Sequence, residues 1–251
     1  MALKYKKAPI IEAVCEFTFA PISDWDLVIP GLIYDKVKSD FPKRKQLKSL
    51  DFDIASDKKT VAQQVRVTDK IQLLREDEKA FIQISPNVLS INHLKPYPSW
   101  NEYLPLIQIG FKQYVEVVKN IEILRIGLRY INRIEFLKSE EPHEKVELED
   151  YFEFRPFIGR KLPQDYHSCK VGIQQVFEDT RDNLILQLGA EKTQASDKLV
   201  IILDFDYSLV KPKQISVENV FDWIETAHLH IEDTFEACIT DKLRNKFEVE
   251  K

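Results

Sequence analysis

The chain of 251 residues is poor in glycine and cysteine, with six and three respectively, and has no long apolar run. The glycines are scattered, so no glycine-rich loop is available to cradle a phosphate with backbone N–H groups. Cys15, Cys169 and Cys238 lie far apart without metal-type spacing. That speaks against a disulfide framework or a zinc motif, and for free thiols in a reducing compartment. No stretch approaches the roughly 20 apolar residues that span a bilayer. The basic opening Met1-Ala-Leu-Lys-Tyr-Lys-Lys is a poor secretory leader, because Glu12 and Glu16 interrupt the apolar residues after it. A cytoplasmic location without membrane association is expected. Cationic residues are also outnumbered: 36 Lys and Arg against 41 Asp and Glu leave a net charge of −5. This argues against nonspecific nucleic-acid binding as the main role. Neither a cofactor nor a metal is expected.

What is present is an ordinary globular composition, 44% apolar and 31% charged, in a chain long enough to bury a substantial core. The organising stretch is Ile121 to Phe136. One parity carries Leu124, Ile126, Leu128, Tyr130, Ile134 and Phe136, broken only by Asn132; the other carries Arg125, Gly127, Arg129, Arg133 and Glu135. Side chains alternate across a strand, so one face is apolar and the other holds three guanidinium groups. A sheet packed on one face only is usually antiparallel. Gly127 within the strand points to a bulge or a close approach.

Before that stretch, Pro9–Phe19 reads as a strand and Asp24–Phe41 as a helix with Asp24 as N-cap. Lys43–Asp57 reads as a polar, basic loop with a short extended piece. Strands follow at about Thr60–Thr68, Ile71–Glu76, Ala80–Ser85 and Val88–His93, with turns at Asp69-Lys70, Asp77-Glu78-Lys79 and Pro86-Asn87. A helix capped by Ser99 runs to Asn120, with Trp100, Leu104, Ile107, Phe111, Tyr114 and Val118 as its apolar stripe. After the central strand come a charged loop, a short helical stretch near Leu148–Phe154, and strands at Ser168–Asp179, Leu184–Glu191 and Lys198–Leu209. A last helix runs from Ser216 to about Phe247, its stripe being Val220, Ile224, Ala227, Ile231, Phe235, Cys238 and Leu243.

The two halves therefore share an order: strand, helix, three or four strands, long helix. Gln63-Gln64-Val65 recurs as Gln174-Gln175-Val176, and Trp100 has a counterpart in Trp223. The expected fold is α+β: a tandem β-α-β(3-4)-α repeat, residues 1–120 and 121–251, sharing one long curved antiparallel sheet with helices on one face. That arrangement resembles the saddle of the TATA-box-binding protein fold and the helix-grip folds. Paired opening strands would set Glu12 and Glu16 across from Arg125 and Arg129, each opposite-charge pair contributing about 0.2–1 kcal/mol.

Three segments carry a family resemblance: Pro9-Ile-Ile-Glu-Ala-Val-Cys-Glu-Phe-Thr-Phe19, Leu128-Arg-Tyr-Ile-Asn-Arg-Ile134 and Ala227-His-Leu-His-Ile-Glu-Asp-Thr-Phe235. Together they resemble a sporadically distributed bacterial family of uncharacterised proteins of about this size. The resemblance implies a single bacterial-type unit and assigns no reaction. Its patchy distribution is similar to that of mobile or antiviral-defence genes.

Four groups of residues invite a chemical reading. Glu225, His228, Glu232 and Glu236 fall on one helix face, and Glu225-Thr-Ala-His228 has the Glu-x-x-His spacing of carboxylate-bridged metal sites, which need matching ligands from further helices; the plain reading is a solvated face. Asp204 and Asp206 share a strand face, as metal-binding pairs do in phosphoryl-transfer enzymes; the plain reading is paired or solvent-facing acids. The open sheet face gathers Glu12, Glu16, Gln64, Arg66, Arg125, Arg129, Arg133 and Gln174, either a binding surface for an anion or an internal ladder of ion pairs. The run Lys43-Arg44-Lys45 with Lys48 is either a phosphate contact or solvated charge. No catalytic Ser-His-Asp or Cys-His arrangement is identifiable. The leading expectation is a non-enzymatic binding module. Its ligand residues would be Arg125, Arg129, Arg133, Glu12, Glu16, Gln64 and Gln174, taking a small anionic ligand or a protein partner, with a homodimer compatible. The alternatives are a nucleic-acid-binding saddle and a magnesium- or manganese-dependent phosphoryl-transfer enzyme using Asp204 and Asp206.

Overall fold

A computed structural model describes residues 4–21, 25–26, 28–57, 60–141, 145–159, 161–163, 168–192 and 197–249; for 49–57, 60–68 and 191–192 it describes the backbone alone. The fold is α+β. Its elements are β1 (Ile10–Phe19), α1 (Val28–Val37), β2 (Lys43–Asp57), β3 (Thr60–Leu74), β4 (Ala80–Ser85), β5 (Val88–Leu94), α2 (Trp100–Val118), β6 (Ile123–Leu137), α3 (Leu148–Tyr151), β7 (Ser168–Phe177), β8 (Asp182–Lys192), β9 (Lys198–Leu209), α4 (Val220–Cys238) and α5 (Asp241–Phe247). The strands form one antiparallel sheet in the order β2-β3-β4-β5-β1-β6-β9-β8-β7. The chain divides into two compact units: residues 15–93 with 99–124, and residues 1–14 with 94–98 and 125–251. No helix among the described residues is long and apolar enough to cross a membrane.

In the first unit, β2 to β5 form successive antiparallel hairpins. Ser85 pairs with Val88, so Pro86-Asn87 is a two-residue turn, as its composition predicts. At the β3–β4 turn Glu78 takes a positive φ of 57°, and the Asp77 carboxylate accepts from the Lys79 N–H, an Asx-type turn. Phe17 packs on Phe111 and Phe19 stacks on Tyr114, which fixes α2 against the sheet. A Cβ at Gly110 would stand 2.8 Å from Ile91 Cγ1, so this glycine lets the helix close on β5. The buried stripe of α2 is accordingly Tyr103, Leu106, Ile107, Gly110, Phe111 and Tyr114, rotated from the expected one; Trp100, Leu104 and Val118 are half-exposed. The Ser99 hydroxyl bonds Glu102 Oε1 and caps no backbone N–H. The expected cap Asp24 lies outside the described residues.

Two further expectations for this unit are corrected. Lys43–Asp57 is strand β2, not a loop, and Asp69-Lys70 lies inside β3, not at a turn, since the β2–β3 register runs unbroken from Lys43↔Leu74 to Asp57↔Thr60. The start of the strand, Lys43-Arg44-Lys45-Gln46, shows no apolar alternation. Cross-strand pairing and ion pairs hold it: Lys43 bridges Glu76 and Glu78, Lys45 bridges Glu78, and Arg44 lies over the Tyr34 ring.

In the second unit β6, β9, β8 and β7 pair antiparallel in that order. Burial alternates from Lys198 to Tyr207 along β9, whose bounds are those expected, and from Asp182 to Ala190 along β8. The core parity is Ile126, Leu128, Tyr130, Ile134 and Phe136 of β6, the odd residues Leu199 to Leu209 of β9, and Leu184, Leu186, Leu188 and Ala190 of β8. Val220, Trp223, Ile224, Ala227 and Ile231 of α4 cover it. The expected single helix from Ser216 to Phe247 is broken. Ile239 forms a bridge with Phe152, Thr240 N–H donates to Tyr151 O, and the Thr240 hydroxyl then caps α5 by accepting from Leu243 N–H. The break takes up backbone groups around α3 that a continuous helix would leave unpaired.

Candidate functional site

The open face of the second unit is built by strand alternation. Arg125, Arg129 and Arg133 stand on the parity of β6 opposite the buried residues, and Asp204 and Asp206 on the corresponding parity of β9. The register sets Arg129 directly across from Asp206, yet the guanidinium reaches diagonally. Arg129 Nε donates to Asp204 Oδ1 at 2.9 Å and Nη2 to Oδ2 at 2.6 Å, a bidentate fork. Asp206 is taken by Arg125, whose Nη2 lies 3.2 Å from both carboxylate oxygens. Gly127 makes room for this: a Cβ there would stand 2.6 Å from Arg125 Nη1. The glycine thus answers to a side chain crossing over it. Arg133 pairs with Glu135, and Lys198 Nζ reaches the other Glu135 oxygen at 3.1 Å.

The electrostatics follow from these contacts. The hydrogen bonds that Arg129 donates to Asp204 raise its pKa first, and the charges of Asp204, Asp206 and Glu12 add to it. Burial pushes the Asp206 carboxyl up, against the pull of Arg125 and Arg129. Lys198, then Arg133, draws Glu135 below the usual carboxylate range. Arg129 remains 46% exposed while Asp204 is 16% exposed, so the fork anchors a half-buried acid to an outward base. Its Nη1 makes no bond among the described residues, and neither do Nε and Nη2 of Arg133. Four strand residues separate Arg129 from Arg133, about 13 Å between their Cα atoms at the usual rise.

Of the other expected members, Glu12 is half-exposed and acts on Arg129 through its charge. Gln174 is exposed on β7; the register row Arg129↔Asp206, Asp206↔Ile185, Ile185↔Gln174 puts it on the same face. Glu16 sits in the first unit on the half-exposed parity of β1. The side chains of Gln64 and Arg66 lie outside the described residues. Asp204 and Asp206, read from sequence as a separate metal candidate, belong to the arginine face, and each carboxylate is already held by a guanidinium.

The α4 series does not converge. Glu225 is exposed, Glu236 accepts from the Tyr5 hydroxyl at 2.6 Å and from Arg244, and Glu232 is half-buried, its carboxyl raised by burial. His228 turns inward, Nδ1 3.2 Å from the Tyr130 hydroxyl, which lies 3.2 Å from the Tyr97 hydroxyl. The series is therefore not a solvated face. Sequence reading also passed over Asp182, fully buried, which accepts from Trp223 Nε1, Arg181 and Tyr207. An acid in a turn-like Arg181-Asp182-Asn183 run carries no sign of this role. Among the described residues no group of three or more His, Cys, Asp or Glu side chains is arranged to hold a metal ion. No protein-family model matches the chain, and no curated protein sequence matches it.

Proposed function

We propose that the protein is a non-enzymatic binding module, and that the open face of the second unit takes an anionic group, either a carboxylate of a protein partner or a small anion. The observation that carries this reading is the Arg129–Asp204 fork: it fixes the guanidinium plane through Nε and Nη2 and keeps Nη1 for an outside acceptor. Arg133, on the same parity, supplies further donors. A fixed fork has already lost much of its rotamer freedom, which lowers the entropic cost of capture. The phosphoryl-transfer reading draws no support from Asp204 and Asp206, since a metal ion there would have to displace two guanidiniums. The nucleic-acid reading draws none from a face on which acids alternate with arginines. We also propose that the halves are repeats: β1 lies beside β5, the last strand of its half, and β6 beside β9, the last of its own.

The test is a titration followed through the arginine side-chain N–H signals, with citrate and with an extended peptide bearing glutamates four residues apart. Arg129 and Arg133 signals should move together, and Arg129→Gln with Arg133→Gln should abolish binding while circular dichroism shows the chain still folded. Signals unmoved by both ligands at millimolar concentration would sink the reading.

A further inference from the structure

Strand β7 is the last in the sheet order, and one of its edges is unpaired among the described residues. It is ten residues long and pairs with β8 in unbroken register from Ser168↔Glu191 to Phe177↔Asp182, so no bulge turns it away. Its sequence, Ser-Cys-Lys-Val-Gly-Ile-Gln-Gln-Val-Phe, has one charge, Lys170, and no proline. Edge strands are normally blunted by charges, proline or bulges. Here apolar side chains are exposed on both flanks: Ile173, 42% exposed, on the core parity and Val176, 58% exposed, on the open parity. A β-prone segment with so little charge pairs readily with another strand.

We propose that the unpaired edge of β7 docks antiparallel on the β7 edge of a second copy of this chain, extending the sheet across a two-fold axis at Gln174. Charge placement selects this occupant. The strand's cation, Lys170, lies near its start, and the exposed acids Glu178 and Asp179 follow its end. Antiparallel self-pairing brings Lys170 beside the partner's Glu178, and does so twice by symmetry; a parallel arrangement sets like charges side by side. In the same register Val171 meets the partner's Phe177, Ile173 meets the partner's Gln175, and the Gln174 amides face one another, each able to donate and to accept. Arg181 and Lys211 lie near the acidic turn, Arg181 raised in pKa partly by Glu178 and Lys211 bonded to Asp179 O, and they moderate its charge without reversing it. The contact uses none of the arginines, although Gln174 shares their face, and it does not rest on the binding function proposed above.

The test uses the full chain in a Cys169→Ser background. Gln174→Cys, placed on the axis, should give an interchain disulfide under mild oxidation, as directly opposed strand residues lie within disulfide reach. Leu229→Cys, exposed on α4, should not. Ile173→Lys with Val176→Lys should convert the dimer to monomer in sedimentation while circular dichroism stays unchanged; Lys170→Glu should weaken it, and adding Glu178→Lys should restore it. A chain monomeric at millimolar concentration, a dimer that survives the two lysines, or equal cross-linking at positions 174 and 229 would each overturn the proposal. If the two-lysine variant fails to fold, the Lys170→Glu and Glu178→Lys rescue decides alone.

Discussion

Removing the Asp182 carboxylate should cost the second unit more than any other single acidic side chain described. Asp182 opens β8 with no solvent exposure, and its oxygens serve three elements. Oδ1 accepts from Trp223 Nε1 of α4 at 3.0 Å; Oδ2 accepts from Arg181 Nη2 at 2.6 Å, Arg181 Nε at 3.1 Å and the Tyr207 hydroxyl of β9 at 3.4 Å. Asp182→Ala leaves the buried indole N–H and phenol O–H without an acceptor and strips Arg181 of its partner. Each orphaned buried donor costs about 1–3 kcal/mol. Breaking a buried ion pair costs about 3–5 kcal/mol, but Arg181 keeps 28% side-chain exposure and recovers part of that from water. A net loss of about 3 kcal/mol follows, which lowers the melting temperature by roughly 6–12 °C for a chain of this size. Urea unfolding with an unchanged m-value reads the same loss as a lower midpoint. Trp223→Phe alone should cost about 1 kcal/mol, and the double variant should cost less than the sum, because the two changes remove one shared bond. A loss under 1 kcal/mol for Asp182→Ala, or strict additivity with Trp223→Phe, refutes the latch.

Three other outcomes are expected. Burial pushes the His228 imidazole down to about 4, while in the unfolded chain it titrates near 6.5. Between those pH values the unfolded state binds a proton that the folded state does not, so this contribution is complete above about pH 6.5. It fades as pH falls toward 4, by at most about 3 kcal/mol. His228→Gln should flatten the stability–pH curve in that window, and an unchanged slope by urea titration would count against it. Gly127→Ala should push the Arg125 guanidinium off Asp206 and destabilise by about 0.5–1 kcal/mol; in an Arg125→Ala background the cost should vanish, and persistence there would show a backbone cause. The Tyr114 hydroxyl is buried with no hydrogen-bond partner among the described residues, so Tyr114→Phe should raise stability by about 1 kcal/mol in a thermal melt.

How far the chain is legible depends on where each element keeps its stabilising contacts. β6 and β9 are legible almost residue by residue, because one parity of each is buried and the apolar alternation records that face. β2 is legible only in the alternation of Leu50, Phe52 and Ile54; its basic start, Lys43–Gln46, shows none, because its contacts are the charges of Glu76 and Glu78 in the β3–β4 turn. The stripe of α4 keeps its phase only to Cys238; the step of five residues to Leu243 falls out of phase and marks where Ile239 leaves the helix to pair with Phe152. The arginine parity is visible in the sequence as a spacing of four. Its partners are not: Asp204 stands 75 residues from Arg129, and Asp206 81 from Arg125, and only the β6–β9 register brings them into reach. A reading of single segments therefore splits one cluster into an anion site and a metal site.

Joining those two halves changes the kind of recognition proposed for this face. Arg125, Arg129, Arg133 and Lys198 are interleaved with Asp204, Asp206, Glu135 and Glu12, so the face carries little net field at a distance. Long-range attraction, the property a phosphate-backbone binder needs, is weak here. What remains is short-range and directional: the Arg129 donors, held in one plane by the fork to Asp204, and those of Arg133, four residues along the strand and paired with Glu135. The binding surface proposed above would distinguish ligands by where their acceptors lie rather than by how much charge they carry. Affinity for a well-spaced pair of carboxylates should accordingly respond weakly to added salt. It should fall steeply when the spacing changes by one strand residue, because that shift turns an acceptor to the other side of an extended chain.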